Sequence, residues 1–399
     1  MYIFRNSPEL SYNEEDVSVS SLIDVHHHVI PPEVRARLAD HGLTEVGGIP
    51  VPRWDEAREL EVLDRHRISA AVVSISDTGQ AATEAKLVRL IAREANEFYA
   101  GLVARYPRRF GAFAALPLPD VEAALNELEY ALHDLRLDGV MLLSNYAGRH
   151  PGDGAFDPVL AELDRRSATV FLHPATPPGS PTPELPTFLI DYVFETTRAV
   201  ASLLRSGALE RYTNIRLVLA HAGGTIPYLA GRLALGEAPI RARAVTTRLA
   251  GMPVGGAVAR ALADAVLDRN ERRVDEALGD LYYDTALSTA TPALRALDAI
   301  AGPERIVFGS DYPYAPEPLI GRTVRGVAAH WHDGALSRIT QRNALDLFPR
   351  LGDDPSEAMN PDVRSPNGAR AEGRLRRAVR ALARLRPLRG DKKLRKDQS

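Results

Sequence analysis

The chain has 399 residues, of which 45% are hydrophobic and 25% charged, and its formal net charge at pH 7 is −3. These values are ordinary for a globular protein, and no apolar run is long enough for a membrane span or a signal peptide, so we expect a cytoplasmic protein. The absence of cysteine excludes disulfides, thiolate metal sites and cysteine nucleophiles.

Eight short apolar, β-branched or aromatic runs predict strands, and most are separated by stretches of helical periodicity. They cover residues 22–25, 70–75, 111–116, 138–143, 169–172, 215–219, 281–284 and 305–309. Strands that alternate with helices predict a parallel sheet, and eight repeats favour an α/β fold closed into a (β/α)8 TIM barrel. An open doubly wound sheet is the alternative.

Two segments depart from this alternation. Residues 236–280 are longer than one crossover needs and predict a helical insert between strands 6 and 7, with helices around Ile240–Leu249, Gly255–Arg269 and Glu271–Leu278. Residues 351–399 read as a flexible linker and basic tail, since residues 369–399 carry twelve basic and three acidic side chains. We therefore expect an N-terminal extension over 1–21, a barrel over 22–350 and this C-terminal tail.

Four of the predicted strands lead into side chains that can bind a metal. These side chains are His26 and His28 after the first strand, His173 after the fifth, His221 after the sixth and Asp311 after the eighth. The carboxyl ends of parallel barrel strands meet at one face, so ligands this far apart in sequence can converge. Successive strand side chains alternate in direction, which points the first two histidines inward and His27 away.

Each candidate has an ordinary alternative when it is taken alone. A single buried histidine is more often a hydrogen-bonded core residue, and Asp311 would suit a turn or a helix N-cap. Their combination favours a metal site. Three neutral imidazoles and a carboxylate, or two of each, suit Zn²⁺, and the same set can hold Mn²⁺. Because there are five candidates, we expect one to be an acid/base group beside the metal.

Several segments together resemble the amidohydrolase superfamily from about Leu22 to Pro349, and within it the non-oxidative decarboxylases similar to aminocarboxymuconate semialdehyde decarboxylase. The segments are Asp24-Val-His-His-His-Val-Ile-Pro, Val170-Phe-Leu-His-Pro, Ala220-His-Ala-Gly-Gly and Phe308-Gly-Ser-Asp-Tyr-Pro. Glu195-Thr-Thr-Arg198 and Tyr283-Asp-Thr-Ala-Leu-Ser288 look most like the members that decarboxylate 6-methylsalicylate.

The resemblance implies a role for each candidate. It makes His26, His28, His173 and Asp311 the metal ligands and His221 the general base. It matches Arg232 to an arginine that binds a substrate carboxylate, and Arg53 beside Trp54 is the nearest candidate for a second one. The fourth strand lacks the lysine of dinuclear members, so one metal per chain is expected.

These roles predict decarboxylation of a small aromatic ortho-hydroxy acid, with Asp311 as the proton donor to the ring. Hydrolysis of a lactone or amide by metal-bound hydroxide is the alternative, and a catalytically inactive binding protein is disfavoured by the intact ligand set. We expect a homodimer or higher homo-oligomer, without nucleic acid or membrane partners. The aromatic side chains expected around the pocket are Trp54, Phe188, Tyr192, Tyr312 and Tyr314.

Overall fold

The computed structural model of the chain describes residues 21–77, 84–179, 184–236, 243, 247 and 256–352. Seven strands form one parallel sheet in chain order. They are β1 (Leu22–His28), β2 (Ile68–Ser74), β3 (Phe110–Ala114), β4 (Gly139–Leu143), β5 (Thr169–His173), β6 (Arg216–Leu219) and β7 (Tyr282–Tyr283). The predicted N-terminal extension, except residue 21, and the predicted tail beyond residue 352 lie outside the described residues.

The eighth segment, residues 306–312, closes the sheet between β7 and β1. It forms parallel bridges from Tyr283 to Ile306 and from His27 to Tyr312. The Val25 N–H donates to the Phe308 carbonyl at 2.9 Å, which adds to this closure. The segment has too few successive ladder bonds for a regular strand, but it occupies the eighth position. The fold is thus the predicted (β/α)8 barrel, and the open sheet is excluded.

Helices alternate with the strands. In the described part of the chain they are α1 (Pro32–Asp40), α2 (Glu56–Arg65), α3 (Ala85–Arg105), α4 (Val121–Glu129), α5 (Asp157–Arg166), α6 (Asp191–Ser206), α7 (Ala208–Arg211), α8 (Ile226–Leu235), α9 (Gly256–Gly279), α10 (Thr291–Asp298), α11 (Pro318–His330), α12 (Asp333–Ser337) and α13 (Asn343–Leu347). Asp55 and Asp120 cap α2 and α4 by accepting backbone N–H bonds. None of these helices is long and apolar enough to cross a membrane.

The barrel core explains why the strands read as continuous apolar runs. Their residues are buried almost throughout, because one face meets the helices and the other the barrel interior. Inside, the rings of Phe113 and Phe171 stack with centroids 5.2 Å apart. Phe171 also packs edge-on against His26 at 4.8 Å, so the apolar core forms the floor beneath the first metal-ligand candidate.

The insert between β6 and β7 differs from the prediction in detail. A single helix, α9, runs through the point where the sequence suggested two helices separated near residue 270. Asn270 does not break it; instead, its amide donates to the Ala234 carbonyl at the end of α8. The predicted helix at 240–249 lies outside the described residues, apart from residues 243 and 247.

Arg350 ties the segment after α13 to the base of the barrel. Its guanidinium donates to both carboxylate oxygens of Asp138, at 3.0 and 2.7 Å, and to the Phe110 carbonyl at 3.0 Å. We expect Arg350→Ala to lower the free energy of unfolding by about 1–3 kcal/mol, because a largely buried carboxylate loses its charged partner. Urea unfolding measures this change. Arg165→Ala is the control, since it breaks an exposed pair with Glu162 and should cost under about 1 kcal/mol.

Candidate metal centre

The barrel gathers four of the predicted ligands at the carboxyl ends of its strands. His26 and His28 end β1, His173 ends β5, and Asp311 lies in the closing segment. All four are buried, and one ligand atom from each lies within 4.8 Å of the others. The group could therefore hold a metal ion, as the strand-end pattern predicts.

The candidate ligand atoms lie close to one another. The Nε2 atoms of His26 and His28 are 3.0 Å apart. One carboxylate oxygen of Asp311, Oδ1, lies 3.3 Å from the first Nε2 and 3.1 Å from the second. Two imidazole nitrogens and a carboxylate oxygen this close are an arrangement that suits a cation between them.

The other nitrogen of each imidazole already has an acceptor. Such outer partners fix the tautomer with hydrogen on Nδ1, which leaves the Nε2 lone pair for a metal. The pairs are His26 Nδ1 with Asp284 Oδ2 at 2.5 Å, His28 Nδ1 with the Ser74 carbonyl at 3.4 Å, and His173 Nδ1 with the Pro174 carbonyl at 2.8 Å. The residues present therefore fit a divalent metal.

The electrostatics of the group also favour a bound cation. Burial would lower the pKa of His26, but Asp284 and Asp311 raise it to about 10. Burial raises the pKa of Asp311, yet His26 and hydrogen bonds from the surrounding imidazoles hold it well below its usual range. Burial, with the neighbouring imidazoles, keeps the pKa of His173 well below its usual value. The carboxylates thus attract positive charge while His173 stays neutral, as a ligand must be.

His221 stands beside the four-residue group. Its Nε2 lies 3.4 Å from Asp311 Oδ2, and its buried Nδ1 has no hydrogen-bond partner among the described residues. Its backbone is left-handed, with φ of 55°, and its N–H donates to Asp284 Oδ1 at 2.8 Å. This position suits a group that exchanges a proton with Asp311 or with a ligand.

Asp284 is the residue of the site to which the sequence assigned no role. It accepts from the His26 ring, from the His221 backbone and from the Ala286 N–H at 3.0 Å. It directly follows β7, so the rule that strand ends carry functional groups would have selected it. His27 is turned away from the metal group as predicted, and its ring is held between Asp24 and Glu59 at 3.0 and 2.6 Å.

The three predicted substrate-binding residues are not in direct contact with the metal group. Arg232 is exposed on α8, and Arg53 is exposed before α2. Trp54 packs edge-on against Phe98 with ring centroids 5.1 Å apart. Among the described residues, no hydrogen bond, ion pair or ring contact links these three side chains to the metal group.

Three of the predicted pocket aromatics do contact the histidines. The ring centroids of Tyr192 and His173 are 6.3 Å apart, those of Tyr312 and His27 are 5.4 Å apart, and those of Tyr314 and His28 are 5.4 Å apart. Phe188 is 38% exposed. Tyr192 and Tyr314 therefore form a wall beside the candidate ligands, whereas Tyr312 packs on His27, which is turned away from them. A tyrosine combines an apolar ring with a polar hydroxyl.

The sequence is similar to a known protein family and to named relatives. The amidohydrolase family model matches residues 23–350. A 6-methylsalicylic acid decarboxylase of Aspergillus aculeatus is 36% identical over 338 residues, covering 82% of this chain and 96% of the relative. A 6-methylsalicylic acid decarboxylase of Penicillium expansum is 34% identical over 336 residues, with the same two coverages.

Solved structures share the fold. An amidohydrolase II structure superposes with a TM-score of 0.71 at 25% identity, covering 84% of this chain and 100% of that one. A dihydroxybenzoic acid decarboxylase from a Polaromonas species, solved with manganese and the inhibitor 2-nitroresorcinol, has a TM-score of 0.66 at 22% identity, covering 84% and 98%.

Asp284→Asn should weaken metal binding about 10–100-fold. An asparagine amide has one acceptor oxygen, so its NH₂ group would face either the His26 Nδ1–H or the backbone N–H groups of His221 and Ala286. Titration of the apoprotein with Zn²⁺ or Mn²⁺ against a competing chelator measures the affinity. The matched control is Asp298→Asn, since Asp298 also pairs with a histidine, His330, but on α10. Equal affinity in the Asp284 variant and the native chain would contradict the outer-partner role.

Proposed function

We propose, because the chain belongs to the amidohydrolase family, that it is a metal-dependent decarboxylase of a small aromatic acid with a hydroxyl ortho to its carboxylate. The observation that carries this proposal is the buried group of His26, His28, His173 and Asp311. Two relatives above 30% identity that act as 6-methylsalicylic acid decarboxylases support the substrate class. The product is the corresponding phenol and CO₂.

We propose Zn²⁺, with Mn²⁺ as the alternative, at one ion per chain. Three imidazoles and one carboxylate suit either ion. When bound, the metal would supply a Lewis acid that can take up the carboxylate and phenolate oxygens of the substrate. The apolar floor at Phe171 and the tyrosine wall would hold the ring and limit access of water.

The protein side chains would supply and replace a proton. Asp311, reprotonated when substrate is bound, would donate to the ring carbon that bears the carboxylate, forming a C–H bond and interrupting the aromatic system. The bond from that carbon to the carboxylate then breaks, its electron pair restores the aromatic ring, and CO₂ leaves. His221, 3.4 Å from Asp311 Oδ2, is placed to return the proton to this carboxylate.

The roles of Arg232, Arg53 and Trp54 in binding substrate rest on the family resemblance. The two arginines are exposed cations, which suits capture of an anionic acid, while Trp54 is half-buried against α3. We also propose that the enzyme acts in the cytoplasm as a homodimer or higher homo-oligomer, and that it needs no nucleic acid or membrane partner.

Metal-loaded protein should release CO₂ from salicylate or 6-methylsalicylate and lose most of this turnover with benzoate. Without the ortho hydroxyl the substrate offers the metal one oxygen fewer, and the ring is less activated toward protonation. Chromatography of the phenol together with CO₂ detection measures the reaction, and a chelator should abolish it until metal is restored. Equal rates with benzoate, or lactone hydrolysis without CO₂, would refute the proposal.

His221→Ala should lose about 10²–10⁴-fold in turnover while it keeps its metal, because the residue is assigned to proton exchange. Elemental analysis and kinetics on the same preparation separate the two effects. His133→Ala serves as the control, since His133 is 71% exposed in its side chain and lies after α4. A folded but metal-free His221 variant would instead make this residue a ligand.

A further inference from the structure

We propose that Asp77 is a substrate-binding residue, whose free carboxyl oxygen Oδ1 hydrogen-bonds the carboxylate of the aromatic acid beside the metal centre. No role was assigned to this residue from the sequence. The inference deepens the proposed function, on which it rests for the chemical class of the ligand. Three observations support it: the position of Asp77 in the barrel, its buried carboxyl oxygen without a hydrogen-bond partner among the described residues, and the residues around it.

Asp77 lies three residues after β2, at the same barrel face as the metal ligands. Ser74, the last residue of β2, holds the His28 ring. Between them, Ser76 has a left-handed backbone with φ of 65°, which is uncommon for a side chain with a Cβ. Strained conformations of this kind persist where the surrounding structure enforces them, often at functional sites.

Among the described residues, one oxygen of the Asp77 carboxyl has hydrogen-bond partners and the other has none. Oδ2 accepts the Thr176 backbone N–H at 2.6 Å and the Tyr192 hydroxyl at 3.3 Å. Oδ1 is buried without a hydrogen-bond partner among the described residues. The residue as a whole is 3% exposed. A buried polar atom without a partner is costly, so this oxygen is suited to a ligand that arrives with a hydrogen-bonding group.

Three separate routes connect Asp77 to the metal ligands. Its backbone follows the β2 end that supports His28. Its side chain bonds Thr176, three residues beyond His173, and bonds Tyr192, whose ring faces that same histidine. Tyr314 packs on His28 and also lies near Asp77, since burial and then the Asp77 carboxylate raise the pKa of its hydroxyl. The unpartnered Oδ1 of Asp77 therefore belongs to the wall next to the metal.

The charge state of Asp77 matches an anionic ligand. Burial raises its pKa to about 7, and the nearby Glu195 carboxylate adds to this rise, although Thr176 and Tyr192 oppose it. The titratable side chains that face it are Glu195 and Tyr192 from α6, Tyr146 after β4 and Tyr314 just after the closing segment. Near and below neutral pH the carboxyl can stay protonated. Since Oδ2 already accepts two bonds, Oδ1 is the natural O–H donor to a carboxylate.

The experiment compares Asp77→Ala, Asp77→Leu and Asp77→Asn in the metal-loaded full chain. Salicylate binding is measured by calorimetry, and KM and kcat are measured with whichever hydroxybenzoate releases CO₂. The alanine and leucine variants should weaken binding and raise KM about tenfold or more, whereas kcat falls less. The asparagine variant should stay within about threefold of the native chain, because its amide keeps a neutral donor at this position.

Metal content and melting temperature are measured on every variant, and Asp64→Asn is the control, since Asp64 is 68% exposed and pairs with Arg109. Rescue by asparagine distinguishes a ligand contact from a structural role. Native salicylate affinity in the alanine or leucine variant, or equal loss in all three with lowered stability or metal content, would overturn the inference. So would a native chain that binds no aromatic carboxylate.

The same experiment separates this inference from the proposed function. A native chain that binds salicylate but releases no CO₂ from any hydroxybenzoate refutes the decarboxylase proposal, while the Asp77 series still decides the binding role. Turnover that is unchanged across the series refutes the Asp77 role and leaves decarboxylation standing.

Discussion

The metal centre depends on the closure of the barrel between β1 and residues 306–312. Asp24 makes this closure specific, since its buried carboxylate accepts from the His26 backbone, the His27 ring and the Ser310 backbone. Gly309 lets β1 and residues 306–312 approach closely, because a Cβ at this position would lie 2.7 Å from the His26 Cβ. The contacts that complete the barrel therefore also bring Asp311 to the histidines.

Both residues assigned to proton exchange are held in an unusual backbone conformation. His221 and Asp311 have φ values of 55° and 64°, in the left-handed region that favours glycine. The His221 N–H donates to Asp284, and the Asp311 N–H donates to the His26 carbonyl at 2.8 Å. The same two partners, Asp284 and His26, also bond each other. The residues that orient the His26 ring thus also stabilise the left-handed backbone of His221 and Asp311.

The sequence predicted the site best where a metal-binding side chain directly follows a predicted strand. Ligands such as His26 and His173 follow apolar runs, so the parallel barrel predicted their convergence. Asp284 and Asp77 were not assigned roles, because an aspartate after a strand is common and its partners, a distant imidazole and a loop N–H, are set by tertiary contacts. The continuous helix α9 was missed for a related reason, since the contact of Asn270 with α8 is long-range.

Burial acts on the carboxyl groups of both Asp311 and Asp77, but their pKa values are shifted in opposite directions, and their surroundings explain the difference. Asp311 faces imidazoles, whose charge and hydrogen bonds outweigh burial and keep its pKa low. Asp77 faces a backbone N–H and tyrosines, with Glu195 nearby, so burial dominates and raises its pKa to about 7. A carboxylate suits a cation, and a neutral carboxylic acid suits an anionic substrate. Acids whose pKa values are pushed apart in this way can take different roles at one site, and the two roles proposed above, a metal ligand that exchanges a proton and a hydrogen-bond donor to the substrate carboxylate, depend on this difference.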